Sequence, residues 1–178
     1  GTHALDLTLF MMNNYEPAYC VGKTFHKLNA QRDTGNAWGD WHVEKFTAED
    51  SAFGFVVMKY GAVVYLKSSW ALNMADPIEA VTTICGDKAG ADMLDGLRIN
   101  TVMAGKQVMI RPDLRGGSVA FFEGNAGGNP EDLEAATFTN AILRGDPLYV
   151  TADQAAVVTR ILEGIYESER TGKPVCFD

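Results

Sequence analysis

The position in this sequence best placed for proton chemistry is His3. Leu7 and Phe10 follow it at helical spacing, so its imidazole sits in the first turn of a helix. Imidazole is the side chain best suited to exchanging a proton with a substrate hydroxyl near neutral pH. Asp6 stands one turn later on the same side, where it can orient the ring or complement the helix start. The same facts fit a helix-start residue whose ring is merely satisfied, and the residues alone leave both readings open. Other constellations are sparse. His3, His26 and His42 make no His-x-x-x-His pair, and no Cys/His box has metal spacing. His42 and Glu44 would share one face of an extended segment, either as two metal ligands or as a solvated loop edge. There is no Gly-x-Ser-x-Gly elbow and no complete P-loop. Gly124-Asn-Ala-Gly127-Gly128 lacks the Gly-x-Gly-x-x-Gly fingerprint, so the glycine-rich stretch 116–129 reads as a loop.

The elements that must position these residues are well punctuated. The opening helix runs from about His3 to Met12, where Asn13–Asn14 ends it, and a strand follows over Ala18 to Leu28. Asn29 to Trp41 is a polar loop carrying Trp38 and Trp41, which either stack on a sugar or a subunit or fold back onto the core. Ala52 to Lys59, the Tyr60–Gly61 turn and Ala62 to Leu72 form a hairpin. Further strands are expected at Ile78 to Cys85, Leu97 to Met103 and Gln107 to Arg111, with a turn at Gly105–Lys106. Pro130 begins a helix that Gly145 ends. Thr151-Ala-Asp-Gln154 opens a second as a capping box, stopped by Gly172 and Pro174, and Val175 to Phe177 adds a short strand. Short connections favour antiparallel pairing. The expected fold class is therefore α+β, an open-faced and mainly antiparallel mixed sheet with helices on one face. Phe53, Phe55, Val57, Val64, Leu66 and Trp70 cannot all be solvated on such a sheet, so a homo-oligomer built through the open face is expected.

Bulk properties set the outer limits. A chain of 178 residues with 47% hydrophobic content reads as one domain spanning 1–178. A net charge of -8 with scattered basic residues argues against nucleic acid and against an anionic membrane. The three cysteines are far apart and form no framework, which suits a reducing cytoplasm.

Several stretches carry a resemblance. Gly1-Thr-His-Ala-Leu-Asp6-Leu-Thr-Leu-Phe is similar to the Asp-x-Gly-x-His-x-x-Asp segment of the glucose–fructose oxidoreductase/inositol dehydrogenase/MocA family. Glu49-Asp50-Ser-Ala-Phe through Gly61 to Ser69-Trp70 resembles its central hairpin, and Gly86-Asp-Lys-Ala-Gly90 its Gly-Thr-Lys-Gly-Gly turn. Residues 151–174 resemble its C-terminal helix. The resemblance spans the chain in order and implies a C-terminal domain like those of dihydrodipicolinate reductase and glyceraldehyde-3-phosphate dehydrogenase. It implies a parent enzyme in which an N-terminal Rossmann domain holds NAD or NADP and hydride passes between nicotinamide and a sugar, polyol or cyclitol. His3 then carries over as proton relay or hydroxyl ligand, with Asp6 as possible support. The Asp that should stand four residues before His3 precedes the chain, and no residue here matches the dinucleotide turn or the family's lysine. By itself this chain is expected to bind no cofactor and to be catalytically silent. The alternative is a non-enzymatic sheet module that dimerises or holds a sugar-like ligand.

Overall fold

A computed structural model describes residues 1–28, 42–70, 72, 75, 80–112 and 130–178, with the side chain of residue 130 set aside. In chain order the elements are α1 (Thr2–Met12), β1 (Pro17–Phe25), a 3-10 turn (Val43–Lys45), β2 (Ser51–Met58), β3 (Val63–Ser69), β4 (Thr83–Cys85), β5 (Ala89–Asp92), β6 (Arg98–Met103), β7 (Lys106–Ile110), α2 (Pro130–Arg144), α3 (Ala152–Thr171) and β8 (Val175–Cys176). The fold is α+β, and within its sheets every strand pairing is antiparallel. The strands form two four-stranded sheets, where the sequence suggested one. The chain divides into two compact units, 1–77 with 152–178, and 78–151.

The first unit holds the sheet β3-β2-β1-β8 with α1 and α3. Its core joins Leu5 and Leu9 of α1, Val158, Ile161 and Ile165 of α3, and the inward residues Cys20, Val56, Met58, Val64 and Leu66. Alternation along the strands decides this, since successive side chains point to opposite faces. α1 stops because Asn13 takes a left-handed φ of 45°, and the cap amides bond back to the Leu9 and Phe10 carbonyls. α3 lies unusually close to the sheet. Gly22 and Gly54 are direct cross-strand partners, and Ile165 fills the space their missing side chains leave. β8 pairs only with Tyr19 and Cys20, which leaves the rest of that edge of β1 unpaired by strand. α3 covers it. Ser168 Oγ accepts the Gly22 N–H at 3.1 Å, and Lys23 pairs with Glu169 at 2.7 Å. The opposite sheet face carries Val21, Phe55 and Tyr65 in one register row, with Tyr65 73% exposed.

The second unit holds the sheet β4-β5-β6-β7 and α2. β5 was not foreseen, because Ala89-Gly-Ala-Asp92 contains no good strand former, yet it pairs on both edges. The β6–β7 turn falls at Ala104–Gly105, one residue earlier than the sequence suggested. Both residues have positive φ, 51° and 74°, as a two-residue hairpin turn requires to match strand twist. An alanine held there is strained by roughly 1–2 kcal/mol. Ala104→Asn should therefore raise the unfolding free energy by about 0.5–1 kcal/mol in urea titration. An unchanged midpoint would count against the turn assignment.

α2 and α3 end as expected, Gly145 and Gly172 taking φ of 74° and 67° and donating to the Ala141 and Ser168 carbonyls. The segment 29–41 with Trp38 and Trp41, the start of the strand expected from Ile78, and the loop 116–129 lie outside the described residues. No helix among the described residues is long and apolar enough to cross a membrane.

Candidate functional site

The first sheet has one end where several chemically capable side chains converge. Phe25, Ser51 and Ser69 are register partners there, at the end of β1, the start of β2 and the end of β3. α1 begins at the same corner. A methyl group at Gly1 would come within 2.9 Å of the Ser68 side chain, and the first helical bond runs from Leu5 N to Gly1 O at 3.0 Å. His3 is thus exposed two residues into α1, beside the end of β3.

The corner is held by two adjacent acidic residues. Asp50 is buried, and its carboxylate accepts the Lys27 and Leu28 amides and the Ser51 hydroxyl, the last two at 2.7 and 2.9 Å. Its backbone carbonyl accepts Ser69 Oγ at 2.8 Å and the Trp70 amide at 3.2 Å. The Glu49 carbonyl accepts Trp70 Nε1 at 2.6 Å, while its carboxylate accepts the Tyr166 hydroxyl of α3 at 2.6 Å. Phe46 lies against Trp70, ring centroids 5.0 Å apart at 57°. A buried carboxylate needs this many donors, because an unpaired one costs several kcal/mol.

Hydrogen bonding to Glu49, then burial, then the Glu49 charge push the Tyr166 hydroxyl up to about 12. A folded-state value above the unfolded one favours the protonated phenol, so this contribution is complete below pH 10 and is lost between about pH 10 and 12. Burial, followed by the nearby Cys176, raises Cys20 to about 11 and gives a second loss that begins lower. In a Cys20→Ala background, Tyr166→Phe should flatten the fall of the urea midpoint between pH 10 and 12. Parallel curves would show that the Glu49–Tyr166 bond adds nothing.

The other expected site residues are placed less favourably. Asp6 lies in the second turn of α1, whose first turn carries no acidic residue, so it cannot complement the dipole as well as the sequence suggested. Its Oδ1 is buried without a hydrogen-bond partner, and its charge is felt by Tyr15, raised first by burial and then by Asp6. No hydrogen bond joins Asp6 Oδ1 to His3. His42 precedes the 3-10 turn that contains Glu44, so the two do not share an extended face, and no three-residue metal group occurs among the described residues. Gly22-Lys23-Thr24 has the ending of a P-loop, but Pro17 stands where its first glycine should be, and the triplet lies extended inside β1. In the second unit Arg98 and Arg111 are committed to Asp92 and Asp95, each at 2.8 Å.

Residues 1–177 match the family described as the oxidoreductase family, C-terminal alpha/beta domain, the Gfo/Idh/MocA oxidoreductases. The chain belongs to this family. It is 24% identical to D-glucoside 3-dehydrogenase of Escherichia coli (strain K12) over 177 residues, 98% of this chain and 46% of the relative. Aldose-aldose oxidoreductase from Caulobacter crescentus, crystallised with glycerol, shares the fold at TM-score 0.67 and 16% identity, over 99% of this chain and 46% of its own. An oxidoreductase from Agrobacterium radiobacter, in complex with NAD+, L-tartaric acid and magnesium, does so at TM-score 0.62 and 18% identity, over 99% and 47%. The chain thus spans about half the length of the relatives it matches.

A dinucleotide in such enzymes sits at the carboxyl ends of parallel strands, on a glycine turn that opens a helix. The described sheets are antiparallel throughout, so the described residues do not form a crevice of that kind. The Glu49–Asp50 corner was missed as a unit in the sequence, although its motif was visible. A usable signal was present: paired acids opening one strand, opposite a Ser-Trp closing its neighbour.

Proposed function

We propose that the chain is the substrate-binding and assembly half of a longer NAD(P)-dependent oxidoreductase acting on a sugar, polyol or cyclitol. The observation that carries this reading is His3, exposed at the corner where α1 meets the end of β3, within a domain of this family. The relative named D-glucoside 3-dehydrogenase supports a carbohydrate substrate. In this reading the cofactor is held by the other half, and the part played here is to hold the substrate and exchange its hydroxyl proton. An alcohol losing hydride must also lose a proton, and an exposed imidazole beside the hydroxyl accepts it at neutral pH. Asp6, one turn further along α1, is the possible support for this role. Assembly uses the open face of the first sheet, where Val21, Phe55 and Tyr65 form an apolar row that a second copy would cover. The cytoplasm, where NAD(P) is available, is the expected compartment.

The full-length protein should reduce NAD+ or NADP+ when supplied with at least one member of a panel of aldoses, glucosides and cyclitols. No turnover across the panel, with fold and cofactor binding intact, would remove the reading. Sedimentation velocity tests assembly separately: Tyr65→Asp should shift the oligomer toward monomer.

A further inference from the structure

The corner that carries His3 also holds three aromatic rings that the proton chemistry does not use. Trp70 and Tyr166 are each 47% exposed although both are hydrogen-bonded, and Phe46 lies against the indole. Glu49 fixes both outer rings, its carbonyl holding the indole N–H and its carboxylate the phenol O–H. An indole whose only donor is already taken has no hydrogen bond left to offer a ligand. What it offers is a π face, held in a single orientation before any ligand arrives. An all-equatorial pyranose chair presents a complementary surface, because its faces carry axial C–H groups, three on one face and two on the other, while its hydroxyls point outward. We propose that Trp70, oriented by Glu49 and flanked by Phe46, is a stacking subsite for one face of a pyranose-sized ring. This rests on the carbohydrate reading above and specifies how the ring is held. Ser68, against which Gly1 at the start of α1 packs, lies two residues before Trp70 in the chain. Glu49 acts as a positioning residue and touches no substrate.

Saturation-transfer NMR on this chain with methyl β-D-glucopyranoside tests the subsite directly. Saturation should concentrate on the C–H hydrogens of one ring face. That enhancement should vanish in Trp70→Ala, persist in Trp70→Phe and weaken in Phe46→Ala. Trp70→Phe keeps an aromatic face without the indole N–H, so it reports on stacking even if Trp70→Ala fails to fold. Uniform saturation, no saturation, or a full enhancement in folded Trp70→Ala would overturn the proposal. A full-length protein that oxidises sugars while this chain shows no face preference would remove the subsite and leave the function. Face-selective stacking with no sugar turnover by the full-length protein would keep the subsite and remove the function.

Discussion

Gly22→Ala and Gly54→Ala should each destabilise the first unit by about 1–3 kcal/mol, the cost typical of forcing atoms into a packed core. A Cβ at Gly22 would lie 2.4 Å from Ile165 Cγ2, 2.9 Å from its Cβ and 3.0 Å from its Cα. A Cβ at Gly54 would lie 2.4 Å from Ile165 Cδ1 and 3.1 Å from its Cγ1. The first clash reaches the helix backbone and the second only the tip of a side chain. Replacing glycine by alanine also restricts the unfolded chain, which favours folding by about 0.4–1 kcal/mol, but too little to reverse the sign. The two sites are separable with one further substitution. Ile165→Val removes Cδ1 and should itself cost about 0.5–1.5 kcal/mol. It should relieve most of the Gly54→Ala penalty and almost none of the Gly22→Ala penalty. Urea denaturation of the singles and doubles reads the coupling. Equal rescue of both, or of neither, would show that α3 does not sit on the glycine pair as described.

His3→Ala should lower hydride transfer by the full-length protein by roughly 10²–10⁴-fold, the range for loss of a positioned acid or base. Stability should change little, because His3 is exposed and lies in no core cluster. A wild-type rate would place the proton chemistry elsewhere and leave His3 a helix-start residue.

Much of this architecture was legible because local chemistry and final fold agree. Asn13, Gly145 and Gly172 stop their helices in the left-handed conformation that few other residues accept, and the β2–β3 hairpin shows in its alternation. β5 was illegible because its pairing rests on two neighbouring strands and not on its own residues. The division into two sheets was equally hidden, since short antiparallel connections fix which strands are neighbours but not where a sheet ends. At the candidate site, His3 could be found from its place in a helix. The Glu49–Asp50 corner shows only its motif in the sequence, because its bonds join residues far apart in the chain, from Lys27 to Tyr166. Asp6 stands at helical spacing from His3, and its Oδ1 makes no hydrogen bond.

The central claim is that this chain is the half that holds substrate and that the nicotinamide is bound by a different half. Titrating NADH into the 178-residue chain and following its fluorescence tests this most directly. The account predicts a spectrum unchanged from free NADH at every ratio, with the full-length protein shifting or enhancing the emission. Saturable enhancement by this chain alone would mean that it carries its own nucleotide site, contradicting the division of labour proposed here.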